Sequence, residues 1–334
     1  MTPGPSLRRH VRRFAALLVA AVLVAGCGLE RDDVPPDRPS VTDVRVAILP
    51  TGNVLPVHLA DTRGIFERNG LRITRTEGQD ASVFLAGLEQ GQYDIVMSVP
   101  TLVLVGAERG LNAQVISRMQ RSSAAEPNTV WVTRDESIDS IAQLEGKTIG
   151  VPALTGVLTD SLVYLLQNNG VARDDVKFVQ LPFAAMGDQL KAGRVDAVVA
   201  SIPYGAELAA RGFRIHEDVV VEAVRDASGG TIDTGMTALF ASSSTFADEH
   251  PDTITAWRTS LEEAIDYLHT HEAEARTLLQ TWLKMPPEVA ERVPLPGWTV
   301  EITANDLRPY VTISKAVGTI QGDPDVDALV WRGP

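Results

Sequence analysis

Cysteine is nearly absent from this chain: among 334 residues there is one, Cys27. A single thiol excludes a disulfide framework, a zinc knuckle and a paired-cysteine redox centre. Aromatic residues make up only 5%, and 43 acidic side chains outnumber 30 basic ones, for a formal net charge of −13. A surface this acidic repels phosphate backbones, so we expect no nucleic-acid partner.

Motifs of the common enzyme classes are also missing. The sequence has no G-x-S-x-G nucleophile turn, no phosphate-binding G-x-x-x-x-G-K-[ST] loop and no G-x-G-x-x-G after a predicted strand. The six histidines are dispersed, and His269 and His271 would point to different sides of a helix. Asp323, Asp325 and Asp327 lack the glycine and the distal glutamate of a calcium loop. We therefore predict no enzyme activity, no metal site and no cofactor.

The N-terminus does carry a recognisable signal, and it is one for export. A basic segment at residues 8–13 precedes twelve apolar residues at 14–25. As a helix this apolar run spans about 18 Å, short of the roughly 30 Å of a bilayer core, which indicates a signal peptide. The sequence leaves open whether export follows the general secretory or the twin-arginine route.

The signal ends at a motif for lipid attachment. Residues 24–27 (VAGC) resemble the lipobox of bacterial lipoproteins, which implies cleavage after residue 26 and lipidation of Cys27. The charged, proline-rich stretch that follows is typical of a solvated linker. We predict a signal peptide over 1–26 and a lipid-anchored tether over 27–43. The protein is then expected on the outer face of the cytoplasmic membrane, held to the lipid bilayer through Cys27.

Beyond the tether, short apolar runs alternate with longer amphipathic stretches. Val44–Leu49 and Lys147–Val151 are typical of strands, and each opens a series in which strands and helices alternate. Val57–Asn69 predicts one of the helices, and the β-branched run Phe213–Ala223 predicts a further strand. Such alternation indicates βαβ units in largely parallel sheets. We predict an α/β protein with two such halves, followed by a helical tail.

Five polar loops follow predicted strands and are our candidates for binding a ligand. In open α/β sheets, ligands lie outside the carboxyl ends of the strands, where backbone N–H groups and hydroxyls are free to bind them. The alternative for each serine or threonine is helix capping. The candidate ligand-binding residues are Thr51, Gly52, Asn53, Ser98, Thr101, Thr155, Gly156, Thr159, Ser201, Tyr204, Thr234 and Gly235.

The chemistry of these loops limits the charge of the ligand. None contains lysine or arginine, and the nearest cationic candidates are His58, Arg118 and Arg121. Tyr204 and Phe183 offer rings for stacking, although packing between helix and sheet is the alternative for both. We expect a small heteroaromatic or a monoanionic organic solute rather than an inorganic anion.

Several segments resemble one known family. Residues 64–71 (GIFERNGL) and 86–95 (AGLEQGQYDI) resemble the GxFxxxGL and ALxxGxxD signature of extracytoplasmic solute-binding proteins. Residues 141–151 and 191–197 are similar to later segments of the same family. The branch resembled serves the uptake of nitrate, sulfonate, taurine and thiamine-pyrimidine precursors. The resemblance covers roughly residues 44–322.

The resemblance implies a type II periplasmic-binding-protein-like fold with two lobes and a ligand cleft between them. Each lobe would be a mostly parallel sheet flanked by helices. Lobe one would comprise 44–138 plus 235–334 and lobe two 139–234, with crossovers near 133–138 and 235–241. Such a protein, a monomer, traps its solute by hinge closure and delivers it to an ABC permease in the membrane.

Two other functions remain open at this point. One is a non-transport binding or sensor lipoprotein on the same fold. The other, which we favour less, is an enzyme of the same fold. The pyrimidine synthase that resembles this family carries a cysteine-rich motif, which a single-cysteine chain cannot supply. Menaquinone-pathway enzymes of this fold are cytoplasmic, whereas this chain begins with an export signal.

Overall fold

A computed structural model describes residues 41–333. The predicted signal peptide, Cys27 and all of the predicted tether up to residue 40 lie outside the described residues. The first strand already begins at Thr42, so the last two residues of the predicted tether are part of the folded protein. In the part of the chain that is described, no helix is both long and apolar enough to cross a membrane.

Strands and helices alternate through most of residues 42–243, and helices dominate from 244 to 329, as the sequence predicts. The strands are β1 (Thr42–Ile48), β2 (Leu71–Glu77), β3 (Ile95–Ser98), β4 (Ala113–Arg118), β5 (Gln120–Ser123), β6 (Thr129–Thr133), β7 (Thr148–Val151), β8 (Lys177–Gln180), β9 (Ala197–Ser201), β10 (Arg214–Asp218), β11 (Thr234–Gly235), β12 (Leu239–Ser243) and β13 (Gly297–Trp298). The helices are α1 (Leu55–Thr62), α2 (Ile65–Arg68), α3 (Ala81–Glu89), α4 (Pro100–Glu108), α5 (Val157–Asn168), α6 (Phe183–Lys191), α7 (Tyr204–Ala210), α8 (Val219–Ala227), α9 (Ser244–Glu249), α10 (Pro251–Thr270), α11 (Glu272–Thr281), α12 (Pro287–Ala290), α13 (Ala304–Ala316) and α14 (Val326–Leu329).

Two five-stranded sheets organise these elements. The first has the order β2-β1-β3-β12-β4 and the second the order β10-β6-β9-β7-β8. In the first, β12 alone runs against its neighbours β3 and β4. In the second, β6 alone runs against β9 and β10. Each sheet is therefore mostly parallel, and its single reversed strand is the one that follows a crossing from the other sheet.

Both chain crossings lie in a third, small sheet of order β11-β5-β13. Strand β5 leads from the first sheet to the second, and β11 leads back. The two pair antiparallel, Thr234 opposite Ser123 and Gly235 opposite Ser122. The crossings thus run side by side and are hydrogen-bonded to each other.

The position of β6 differs from the sequence prediction. We expected the first crossover near 133–138, but β6 pairs with β9 and β10 in the second sheet, so the chain crosses at 120–128. Every residue of β6 is buried. A fully buried run of this kind carries no alternation that tells one sheet from another.

Two predicted elements have a different form in the structure. The predicted strand Phe213–Ala223 is β10 followed by α8, because Asp218 accepts hydrogen bonds from the backbone N–H groups of Val220 and Val221 and starts a helix there. The predicted helix Val57–Asn69 is two helices, α1 and α2. They are separated at Gly64, whose φ of 65° is the left-handed conformation that glycine adopts without strain.

Three hydrophobic cores hold the sheets to their helices. In one, Trp257 of α10 lies between Phe66, stacked at 5.2 Å, and Phe240 of β12, edge-on at 5.0 Å. Another runs through apolar residues of both sheets and of α5, α8 and α13. The third and smallest joins β6 and β9 to α6 and α7. Helix α13 packs against α5 and α8 and also against α4, so it contacts helices that flank both sheets.

Candidate functional site

A cluster of neutral polar side chains lies where the two crossings meet. Its centre is Thr237, between β11 and β12, whose Oγ1 lies 3.1 Å from Gln120 Oε1 and 2.9 Å from Asn128 Nδ2. Asn53 Nδ2 lies 3.4 Å from the same oxygen. We call Asn53, Gln120, Asn128 and Thr237 the polar hub. It joins the carboxyl end of β1, both crossings and the first residue before β6.

The hub is buried and not all of its polar atoms are paired. Gln120 is 0% exposed, Asn128 3% and Thr237 8%. Among residues 41–333, Gln120 Nε2 and Asn128 Oδ1 have no hydrogen-bond partner. Such groups cost free energy unless a partner satisfies them, so a polar ligand that reached these two atoms would gain hydrogen bonds.

The predicted residues that follow the first sheet lie at its carboxyl edge. Asn53 is part of the polar hub. Thr51 Oγ1 and Ser98 Oγ are buried without a partner among the described residues, as unused ligand-binding hydroxyls would be. Thr101 is buried, and the Gly52 carbonyl accepts a hydrogen bond from Trp298 Nε1 at 3.0 Å.

The predicted residues that follow the second sheet are spread along its carboxyl edge. Ser201 Oγ lies 3.3 Å from Thr129 Oγ1, directly beside Asn128. Thr155 is exposed, whereas Thr159 donates to the Ala153 carbonyl at 2.6 Å, a contact within its own loop. Gly156 N donates to Asp160 Oδ1 at 3.3 Å, which is likewise internal to that loop.

Two further predicted features have protein partners. Tyr204 stacks on Phe183 with ring centroids 5.3 Å apart. Thr234 and Gly235 form β11, and a Cβ at Gly235 would lie 3.1 Å from Ser122 Oγ and 3.0 Å from Val220 Cγ1. The close approach that this glycine allows is therefore between the two crossings rather than toward a ligand.

Sequence reasoning missed three members of the hub: Gln120, Asn128 and Thr237. Gln120 lies in β5, whose sequence QRSS has no apolar alternation and does not predict a strand. Asn128 and Thr237 each stand at or just before a predicted strand, at its amino end rather than its carboxyl end. Because β6 and β12 are the reversed strands, their amino ends lie at the same edge as the carboxyl ends of their neighbours.

Three side chains hydrogen-bond to successive backbone groups, at residues 235 to 237, where the chain crosses back to the first sheet. Arg118 Nη2 donates to the Gly235 carbonyl at 2.7 Å. The Tyr310 hydroxyl accepts from Met236 N at 2.7 Å and donates to the Met236 carbonyl at 3.0 Å. Gln120 Oε1 accepts from Thr237 N at 2.9 Å. Burial raises the pKa of Tyr310, which keeps its hydroxyl protonated and able to donate.

Asp218 holds the other crossing in place. It is 2% exposed, and its Oδ2 accepts from the backbone N–H groups of Asn128 at 2.8 Å and Thr129 at 2.9 Å. Its Oδ1 caps α8. Burial raises the pKa of Asp218, and the four N–H donors oppose that rise. One carboxylate thus links the start of β6, including the hub residue Asn128, to helix α8.

The cationic candidates near these loops are engaged or lie elsewhere. Arg118 is 4% exposed; its Nε donates to the Gln120 carbonyl at 3.0 Å and its Nη1 lies 3.3 Å from Asp306. Arg121 lines an open groove of about 490 Å³ with Glu126 and Trp298. The site is therefore rich in neutral donors and acceptors rather than in free positive charge.

His58, the third cationic candidate, lies in surroundings that favour its neutral form. It stacks on Trp282 at 4.2 Å, and its Nδ1 is buried with no partner within the described chain. Burial, together with the positive charge of Arg75, lowers the pKa of His58.

This lowered pKa predicts a pH dependence of stability. As pH falls through roughly 6.5, the unfolded chain binds a proton at His58 before the folded chain does, so folding stability is lost from that pH downward. His58→Phe keeps the ring stack and removes the titration. Urea unfolding between about pH 7.5 and 5.5 should show a smaller loss in the variant; an equal loss in both proteins would contradict the assignment.

The arrangement of two α/β sheets joined by paired crossings is that of the periplasmic binding proteins. The alkanesulfonate-binding protein SsuA from Xanthomonas axonopodis pv. citri, solved bound to MOPS, is 19% identical, with a TM-score of 0.69 over 88% of this chain and 99% of that chain. The periplasmic aliphatic sulphonate binding protein SsuA from Escherichia coli is 15% identical, with a TM-score of 0.71 over 88% and 98%. The periplasmic nitrate-binding protein NrtA from Synechocystis PCC 6803 is 13% identical, with a TM-score of 0.65 over 87% and 85%. At such identities the likeness establishes the fold, and it confirms the predicted periplasmic-binding-protein architecture.

The chain belongs to the NMT1/THI5-like family, whose profile matches residues 51–275, more than half of its length. This match confirms the resemblance seen in residues 64–71 and 86–95. No sequence among the curated proteins matches the chain significantly.

Proposed function

We propose that this protein is the lipid-anchored solute-binding component of an ABC importer. The observation that carries the proposal is the polar hub, which has unpaired donors and acceptors at the point where both crossings join the sheets. A ligand there would contact both halves at once. The neighbours of this fold include proteins named for binding sulfonates and nitrate, which supports solute binding as the task.

The two halves act as lobes that close on the solute. Lobe one comprises the first sheet with α1–α4 and α9–α12, and lobe two the second sheet with α5–α8. We place the hinge in the paired strands β5 and β11, which moves the first boundary from 138 to 120–128 and keeps the second at 235. Solute bound between the lobes stabilises the closed form by its higher affinity for that form.

The binding residues are the hub and its neighbours at both sheet edges. Asn53, Gln120, Asn128 and Thr237 supply the floor of the site. The polar side chains at the edges supply the walls: Thr51, Ser98, Thr101, Thr155, Thr159, Ser201, Tyr204 and Thr234. The glycines Gly52, Gly156 and Gly235 shape the loops between them. The protein performs no chemistry on the solute and passes it to a permease.

Solute binding is tested on the full chain purified from cells grown in rich medium. Mass spectrometry after denaturation should detect one small molecule in roughly stoichiometric amount, because a closed cleft releases its ligand slowly. The same chain unfolded in urea and washed before refolding is the control and should release none. If the untreated chain also releases none and no medium component raises its melting temperature, solute binding is refuted.

The anchor is tested at Cys27. Lipidation would hold the mature protein to the membrane by more than one acyl chain, since a single chain binds only marginally. Cys27→Ser should move the protein from the membrane fraction to the soluble extracytoplasmic fraction. Ser40→Cys combined with Cys27→Ser, which places a thiol elsewhere in the predicted tether, controls for the mere presence of a thiol. A Cys27→Ser protein that sediments with membranes as the parent does would contradict the lipobox.

A further inference from the structure

The two unpaired hub atoms have a fixed chemical identity. Gln120 Oε1 accepts from the backbone N–H of Thr237 at 2.9 Å, and a backbone nitrogen can only donate. The orientation of the Gln120 amide is therefore set by that bond. The end without a partner is Nε2, a donor, within a side chain that is 0% exposed.

The orientation of the Asn128 amide is set by the Thr237 hydroxyl. The Thr237 hydroxyl has one proton, and it donates this proton to Gln120 Oε1 at 3.1 Å. It can then only accept from Asn128, so the atom at 2.9 Å is the Nδ2 donor. The unpaired end of Asn128 is Oδ1, an acceptor, in a side chain that is 3% exposed. The hub offers a ligand one donor and one acceptor.

The positive charge next to the hub is already paired within the protein. Each nitrogen of the Arg118 guanidinium already has a protein partner: the Gln120 carbonyl, the Gly235 carbonyl or Asp306. The guanidinium is thus committed to the crossings. A sulfonate or nitrate anion offers acceptors only, so it would pair with Gln120 Nε2 and bring its oxygens against Asn128 Oδ1.

We propose that the solute meets the hub through an uncharged polar edge that carries both an acceptor and a donor, as carboxamides, lactams and ureides do. This inference rests on the proposed function. It assigns Gln120 and Asn128 as the residues that select this solute class over sulfonates and inorganic anions. An anion leaves Asn128 Oδ1 buried and unpaired, which costs about 1–3 kcal/mol, or roughly fivefold to a hundredfold in affinity.

Calorimetry on the full chain, refolded free of solute, tests the selectivity with four probes. Nicotinamide and hydantoin carry the neutral donor–acceptor edge, and butanesulfonate and nitrate carry only acceptors. We expect the two neutral probes to bind about tenfold or more tightly than either anion. Tighter binding of butanesulfonate or nitrate than of both neutral probes would overturn the inference while leaving solute binding intact.

The Asn128→Ala variant separates selection from folding. It should weaken the neutral probes several-fold and leave the anions unchanged or slightly tighter, because the repelling oxygen is gone. Asn168→Ala, on the exposed face of α5, is the matched control and should change neither. Equal weakening of both probe classes in Asn128→Ala would show a structural role and overturn the inference.

If no probe binds, the solute that copurifies with the chain from cells tests the inference. A neutral amide or ureide supports the inference, and a sulfonate or other anion overturns it. If the chain carries no solute and binds no probe, the proposed function fails together with the inference.

Discussion

Replacing Arg118 by methionine should lower the free energy of unfolding by about 3 kcal/mol, because removing one partner of a buried ion pair leaves the others uncompensated. The Gly235 and Gln120 carbonyls lose their donor, and Asp306 loses its cation. Asp306 keeps its bonds to Thr303, which limits the loss. Urea unfolding followed by circular dichroism measures the change.

Arg72→Met is the matched control for this prediction. Arg72 pairs with Asp43 at 2.9 Å, but the two side chains are 60% and 70% exposed. Exposed pairs contribute little, so we expect a change of about 0.5 kcal/mol or less. If the two arginine variants lose the same stability, Arg118 does not hold the crossings together.

Thr237→Val should weaken binding of the copurified solute by roughly tenfold to a hundredfold. The substitution preserves the shape of the side chain and the backbone N–H that orients Gln120, but it removes the oxygen that orients Asn128 and also donates to Gln120. Thr237 Oγ1 loses three hydrogen bonds, a long one from Asn53 and two to the ligand-facing amides of Asn128 and Gln120. The latter two contribute about 0.5–1.5 kcal/mol each, and each 1.4 kcal/mol is a factor of ten. Calorimetry with the solute identified by mass spectrometry measures the affinity.

The control for Thr237→Val is the same exchange outside the hub. Thr255 is exposed on α10, and its hydroxyl donates to the Pro251 carbonyl. Thr255→Val should leave affinity unchanged, and circular dichroism should show both variants folded. Unchanged affinity in folded Thr237→Val would mean that the solute binds away from the hub.

The sequence predicts the α/β class, the two halves and the family because these depend on local patterns. The apolar pattern identifies a strand where the strands before and after it in the chain belong to the same sheet. The pattern fails at the crossings. Strand β6 is buried throughout and fits either sheet. The run after Asp218 is β-branched but becomes helical because a buried carboxylate caps it.

The site was harder to predict because its contacts join distant parts of the chain. Thr237 bonds to Asn53, Gln120 and Asn128, which lie 184, 117 and 109 positions away. The rule that ligands lie at carboxyl ends of strands found Asn53. It could not find Asn128 and Thr237, which precede reversed strands, and the reversal is a property of topology rather than of local sequence.

We propose that the two sheets belong to lobes that close about β5 and β11. Val83 and Leu154 suit a direct measurement, because both are exposed, at 61% and 44%, and follow the carboxyl ends of β2 and β7. Cysteines at both positions, in the full chain with Cys27→Ser, accept a pair of spin labels. Glu67 and Val83, both flanking the first sheet, form the control pair.

Pulsed electron spin resonance then gives the distance between the labels with and without the copurified solute. We predict that saturating solute shortens and narrows the distance distribution of the 83–154 pair and leaves the 67–83 pair unchanged. An 83–154 distance that does not respond to a solute whose binding is confirmed by calorimetry would contradict closure about this hinge.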